Sequence, residues 1–286
     1  MKDKYYAVID VGSNSVRLMM HDGNVTLSKE ICSSKLAKNM QNDILDIASI
    51  DRTVEAISYF VDKASVYTDN INVFATEALR KASNKNILVA KVKGKTNIDI
   101  NIISGEEEAK LGFIGASKNR DCTVVDIGGA STEIVSGNNG KIEYAQSMPV
   151  GAVVLSDNCS EKFSSISKYL KKYLLYGKVP FKKDVVAIGG TATTLAAIVY
   201  HIDPYDREKV NDCVIERKQI IDMLNKIKCL SSEERLKIVG LQKGREDIIV
   251  GAMYELLYIM DMLQVVKIRV SEDDNLEGYL YEYVIK

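Results

Sequence analysis

Two short stretches of this chain bring together residue types suited to binding anions. In VVDIGGASTEIV (124–135) an apolar run ends on Asp126, followed by Gly128, Gly129, Ala130, Ser131, Thr132 and Glu133. AVIDVGSNSVRLM (7–19) repeats the order, with Asp10 followed by Gly12, Ser13, Asn14 and Ser15. A strand that ends in Asp-x-Gly and a small-polar turn presents successive backbone N–H groups in a concave nest. Glycine lets the backbone come close to a ligand, and Ser13, Asn14, Ser15, Ser131 and Thr132 can add donors. Asp10 and Asp126, at the strand ends, can hold a hydrated Mg²⁺ or another divalent ion whose remaining ligands are phosphate oxygens. Glu133 gives the second loop a further acid. A tight hairpin uses the same turn residues, but two copies in one order favour the anion reading.

A third glycine turn, AIGGTATTLAA (187–197), follows an apolar strand and opens a helix of small residues. Gly189, Gly190 and Thr191 at its start can meet a phosphate, and close helix–sheet packing explains the same residues. In ISGEEEAKLGFIGA (103–116), Ser104 and Glu107 have capping-box spacing, and Glu106 favours the helix dipole. Glu108 has no such explanation. It shares a face with Leu111, Gly112 and Gly115, where a carboxylate is costly unless it meets a metal, a donor or a substrate water. A general base for hydrolysis needs such a group. Arg80, one turn into the helix after VFAT (73–76), can grip phosphate with both arms of its fork or stand as an ordinary surface arginine.

The elements that must place these residues are strands first, then strands alternating with helices. Strands are expected at 5–9, 16–20 and 25–31, and helical spacing covers 50–66. Next come strand 73–76, with Thr76 capping the helix after it, strand 98–104 and a helix from the acidic run. The second half restarts at 123–129 with two more strands and a turn at Gly137–Gly140. A helix near 160–176, strands 185–190 and 265–271, and further helices complete it. This is an α/β chain with sheets of mixed direction. No low-complexity linker divides it, so repetition places the boundary, giving domains 1–117 and 118–286. Neither a P-loop nor a Gly-x-Gly-x-x-Gly motif occurs: Gly94-Lys95-Thr96 has Val89 at the upstream glycine position.

A length of 286 residues suits two domains. Composition is 46% hydrophobic and 27% charged, as in soluble globular proteins. A net charge of −1 gives no global field for nucleic acid or an anionic membrane. The N-terminus lacks a signal-peptide pattern. The apolar stretch 246–263 carries Glu246, Asp247, Glu255 and Asp261 and reads as a buried core helix rather than a membrane span. Five scattered cysteines without C-x-x-C fit a reducing compartment. The expectation is a cytoplasmic protein.

Taken together, AVIDVGSNSVRLM, VFATEALRKASN, IISGEEEAKLGFIGA, VVDIGGASTEIV, SMPVGAV, AIGGTATTLAAI and GREDIIVGAMYEL resemble the exopolyphosphatase/guanosine pentaphosphatase family of the acetate kinase–sugar kinase–heat-shock–actin superfamily. The match covers nearly the whole chain. The resemblance implies two ribonuclease-H-like (actin-like ATPase) domains facing across a cleft, and it allows the last residues to return to the first. It implies removal of the terminal phosphate from inorganic polyphosphate or guanosine pentaphosphate, with Mg²⁺ and, by family habit, a homodimer. The family's water-activating glutamate falls on Glu108 and its arginine on Arg80. Its metal- and water-binding acids fall on Asp126 and Glu133, and its phosphate loops on Gly12–Ser15 and Gly128–Ser131. Three positions depart from the pattern: Ala130 replaces a glycine, adding a methyl that faces the phosphate and resists a left-handed φ, Lys35-Leu36-Ala37 replaces Arg-Leu-Gly, and Leu276 stands where an arginine is expected. Those departures keep a non-catalytic phosphate-binding protein open as an alternative, beside a kinase of the same superfamily and, more distantly, an actin-like filament former.

Overall fold

The computed structural model describes residues 4–118, 120–139, 141–159, 161–174 and 181–285. Packing divides the chain into two compact units, Met1–Glu108 with Tyr279–Lys286, and Ala109–Gly278. The division lies inside a helix, ahead of the 117/118 junction expected from the repeat.

Unit 1 contains β1 (Tyr6–Val11), β2 (Val16–His21), β3 (Thr26–Cys32), α1 (Ile47–Ser65), β4 (Ile71–Ala75), α2 (Glu77–Lys81), α3 (Lys85–Thr96) and β5 (Ile100–Ile102). Its sheet runs β3-β2-β1-β4-β5. β1 pairs antiparallel with β2 and parallel with β4, so the direction of pairing changes at β1. Being central, β1 is buried on both faces, which is why the sequence before Asp10 is a continuous apolar run. The stripe read from the sequence in α1 is buried: Ile50, Val54, Ile57, Phe60, Val61 and Ala64. Asp46 caps that helix, accepting from the Ser49 N–H. Thr76 stands at the N-cap of α2 but makes no side-chain cap bond, contrary to expectation.

The helix α4 (Gly105–Ser117) starts in unit 1 and continues into unit 2. Its capping box forms as the spacing predicts. The Ser104 N–H donates to Glu107 Oε2 at 2.8 Å, and the Glu107 N–H donates to Ser104 Oγ at 3.1 Å. The C-terminal segment is fixed to unit 1 by its tyrosines. Tyr279 stacks on Phe74 with ring centroids 4.6 Å apart, and the Tyr283 hydroxyl donates to Glu107 at 3.2 Å.

Unit 2 contains β6 (Cys122–Ile127), β7 (Thr132–Asn138), β8 (Lys141–Met148), α5 (Ala152–Asn158), α6 (Phe163–Tyr173), β9 (Val185–Ile188), α7 (Gly189–Val199) and α8 (Arg207–Val210). β10 (Val214–Glu216), α9 (Arg217–Ile227), α10 (Ser232–Arg235), α11 (Ile249–Leu263), β11 (Lys267–Val270) and α12 (Asn275–Tyr279) follow. The order β10-β11-β9-β6-β7-β8 repeats that of unit 1: an antiparallel meander, then parallel strands, here with β10 added antiparallel at the edge. The repeated phrase in the sequence therefore reflects a repeated sheet. Gly140, and the end of the helix expected near 160–176, lie outside the described residues. Among those described, no helix is long and apolar enough to cross a membrane. α11 is a core helix, packed through Val250, Met253, Leu256, Ile259 and Leu263.

Candidate active site

The two duplicated loops fold alike. In unit 1 the Gly12 N–H donates to the Ser15 carbonyl at 3.0 Å, and in unit 2 the Gly128 N–H donates to the Ser131 carbonyl at 3.0 Å. Each loop leaves the carboxyl end of the strand where antiparallel pairing changes to parallel, the place where open α/β sheets bind ligands. Ser13, Ser15 and Ser131 are buried in these turns, and Asn14, Gly128 and Gly129 are half-buried. Loop 1 is braced by the Lys35 N–H on the Asn14 carbonyl at 2.8 Å and the Ala37 N–H on the Ser13 carbonyl at 2.9 Å. Lys35-Leu36-Ala37 thus supports the loop through backbone groups that any residue but proline carries. Loop 2 is braced by α5, whose Ala152 and Val153 N–H groups donate to the Gly128 and Gly129 carbonyls at 2.9 and 2.8 Å. A Cβ on Gly151 would lie 2.6 Å from the Gly128 oxygen, so the glycine of SMPVGAV permits this close approach.

The strand register then separates the two copies. Asp10 lies directly opposite Arg17, whose Nε and Nη2 donate to Asp10 Oδ2 at 3.1 and 2.5 Å. Asp126 at the equivalent position lies directly opposite Glu133. Facing carboxylates on one side of a sheet repel, and this like-charge pair is where the second copy departs from the first. Glu133 Oε1 accepts from Ser147 Oγ at 2.6 Å, and Asp126 Oδ2 accepts from Asn275 Nδ2 at 3.3 Å. No cluster of three or more metal-ligating side chains occurs among the described residues. Two carboxylates are enough for Mg²⁺, which keeps several waters and takes further ligands from substrate phosphate. Asp126 and Glu133 fit such an ion; Asp10, already neutralised by Arg17, has less need of one.

Gly189 and Gly190 also have packing reasons. Gly189 takes a left-handed φ of +75°, and a Cβ there would lie 2.3 Å from Asp126 Oδ1. The Arg245 guanidinium occupies the space a side chain at Gly190 would need. The Thr191 hydroxyl donates to the Ile127 carbonyl at 3.1 Å, tying α7 to the end of β6. The Thr132 hydroxyl is engaged as well: it donates to Glu255 Oε1 of α11 at 2.7 Å. Burial pushes the Glu255 carboxyl up to about 8, a rise the Thr132 hydrogen bond opposes. Ala130 is not among the residues with left-handed backbone, and its methyl is largely buried, 8% exposed. The strain expected from replacing a glycine there is absent.

Glu108 and Arg80 come together in unit 1. Glu108 is 7% exposed, and Arg80 Nη1 donates to its Oε2 at 3.2 Å and to the Ile103 carbonyl at 2.8 Å. Arg80 Nη2 binds Glu77 Oε2, and Lys81 pairs with Glu77 Oε1 at 2.5 Å. Burial works against the charge on Arg80, but Glu108 and Glu77 outweigh it and hold the guanidinium firmly protonated. The costly carboxylate on α4 has therefore met a donor. Arg80 grips acids in this structure, and Glu77 is the residue the sequence reading passed over; its i,i+3 spacing to Arg80 was the available signal. Loop 1, the start of α2 and Glu108 all sit at the same end of the unit 1 sheet. The Thr76 N–H donates to the Val11 carbonyl at 3.3 Å, and the Ile103 N–H to the Ala75 carbonyl at 3.1 Å.

Residues 19–286 match the model of the Ppx/GppA phosphatase family. A bifunctional 3-dehydroquinate synthase/phosphatase of Fusobacterium nucleatum is 34% identical over 97% of this chain and 46% of its own length. A guanosine-5'-triphosphate,3'-diphosphate pyrophosphatase of Pseudoalteromonas translucida is 25% identical over 96% of this chain and 58% of its own. The chain thus spans about half the length of these two curated relatives. The solved structure of an exopolyphosphatase from Cytophaga hutchinsonii superposes with a TM-score of 0.86 at 25% identity, covering 97% of this chain and 96% of that one. Both sheets, with their shared strand order, are those of the actin-like ATPase fold. This chain belongs to the Ppx/GppA phosphatase family.

Proposed function

We propose that the protein is a phosphoanhydride hydrolase that removes the terminal phosphate of inorganic polyphosphate or guanosine pentaphosphate. The observation that carries this reading is Glu108, a buried carboxylate on the first turn of α4 with one oxygen on Arg80. In the reaction Glu108 accepts a proton from the attacking water. Arg80 keeps that carboxylate oriented and adds positive charge where the transferred group gathers negative charge. Each of the loops Gly12–Ser15 and Gly128–Ser131 is assigned phosphate binding in its own unit, through backbone N–H groups other than those of Gly12 and Gly128, which donate within their own turns. Asp126 and Glu133 are the residues that would hold Mg²⁺, which supplies neutralising charge to the phosphate when bound. Relatives named for guanosine pentaphosphate and for polyphosphate support both substrates.

The test is phosphate release with Mg²⁺ from short polyphosphate, long polyphosphate and guanosine pentaphosphate in parallel, with Glu108→Gln as control. Release that falls at least 100-fold in the variant, the low end for general acid–base catalysis, is the expected result. Folded protein that binds these ligands without releasing phosphate would establish the binding-protein alternative instead. Leu276, fully buried where the resemblance expects an arginine, is the feature favouring that alternative.

A further inference from the structure

Asp126 is held from two sides within unit 2. On one side Gly189 comes so close that any side chain there would strike Asp126 Oδ1. On the other, Asn275 Nδ2 donates to Asp126 Oδ2 at 3.3 Å, across 149 residues of sequence. A carboxylate only accepts hydrogen bonds, so the amide nitrogen is the atom that must face it.

Asn275 reaches this position through a run of close backbone approaches. A Cβ on Gly115 would lie 2.1 Å from the Asp274 carbonyl oxygen, and one on Gly278 would lie 1.9 Å from that of Leu111. A Cβ on Gly112 would lie 2.7 Å from Asn275 Oδ1. The segment 274–278 is therefore laid directly on α4, with Leu276 fully buried as its anchor. Asp274 and Glu277 stiffen the turn: the Leu276 N–H donates to Asp274 Oδ1 at 3.0 Å, and the Asp274 N–H donates to Glu277 Oε2 at 3.0 Å. Asn275 itself is 4% exposed, and its Oδ1 is buried without a hydrogen-bond partner. A buried amide with an unsatisfied oxygen is costly, and leucine would fill the same space without that cost. What asparagine adds is the N–H on Asp126.

We propose that Asn275 is a positioning residue for Asp126, fixing the carboxylate in the orientation from which it and Glu133 take a divalent ion. The inference rests on the metal assignment under the proposed function. Hydrogen bonds to ligating carboxylates set their direction, and removing such a partner typically weakens metal binding 10- to 100-fold.

The test is Mn²⁺ binding to the purified full chain without substrate, followed by electron paramagnetic resonance. The proteins compared are wild type, Asn275→Ala, Asn275→Ser and Asp126→Asn, each checked for folding by circular dichroism. Serine keeps a polar group but is too short to reach Asp126, so it tests the contact if alanine disturbs the segment. The expected result is at least tenfold weaker Mn²⁺ binding in both Asn275 variants, approaching the Asp126→Asn defect. Unchanged affinity in a folded Asn275 variant, with Asp126→Asn defective, overturns this inference alone. A wild type that binds no Mn²⁺, or binding that Asp126→Asn leaves intact, overturns the metal assignment and this inference with it.

Discussion

Replacing Glu255 by glutamine tests the buried carboxyl that stands behind loop 2. Glu255 is 0% exposed, and burial raises its pKa from 4.5 to about 8. Between those values the folded protein holds a proton that the unfolded chain has released. Raising the pH therefore favours unfolding, and the stability present below pH 4.5 is lost as pH rises through 8. Each pH unit inside the window costs about 1.4 kcal/mol. Integrated from pH 5 to pH 8, with partial titration at both ends, the loss is about 3.5 kcal/mol. Glutamine carries no proton to lose, and its carbonyl oxygen still accepts from Thr132. Its NH₂ replaces Oε2, which has no hydrogen-bond partner, at a cost of about 1–3 kcal/mol that does not vary with pH. Glu255→Gln should thus be the less stable protein near pH 5 and the more stable near pH 8. Urea unfolding of both proteins at half-unit pH steps, plotted as the difference in unfolding free energy, measures the effect directly. Two curves that run parallel across the window would refute the reasoning, because Glu255 would then be ionised or hydrated in the folded state.

Other substitutions probe the remaining contacts. Gly189→Ala combines a left-handed φ of +75° with a clash on Asp126. It should lower stability by about 1–3 kcal/mol and weaken Mn²⁺ binding, and an unchanged Mn²⁺ titration would show that the turn does not set Asp126. Gly151→Ala pushes a methyl onto the Gly128 carbonyl; phosphate release should show a higher KM before any large loss of thermal stability. Glu108→Gln should retain ligand binding while losing turnover, read by calorimetry and phosphate release on one preparation.

Much of the local architecture was legible in the sequence because it is written in short-range patterns. The apolar run before each aspartate marks a central strand buried on both faces, the 3.6-residue stripe marks α1, and Ser104 with Glu107 marks the start of α4. The duplicated Asp-x-Gly phrase foretold the repeated sheet. The contacts that define the site were not legible, because they join distant positions. Thr132 and Glu255 are 123 residues apart, and Arg80 and Glu108 are 28 apart. Nothing in DNLEG announces that its asparagine will meet Asp126; that depends on the glycines of α4 letting one backbone lie on another. Ala130 misled for the opposite reason. The glycine pattern of the resemblance suggested a strained turn, whereas the loop adopts a backbone that alanine accepts.

The Asp10–Arg17 and Asp126–Glu133 pairs occupy one register of two copies of one sheet, and they differ in electroneutrality. In unit 1 the aspartate and the arginine opposite it form a neutral pair. Unit 2 sets two carboxylates opposite each other, with Asn275 donating to Asp126 and Ser147 to Glu133. A single side chain opposite the aspartate has broken the symmetry of the duplication, so that at this register added salt screens an attraction in one half and a repulsion in the other.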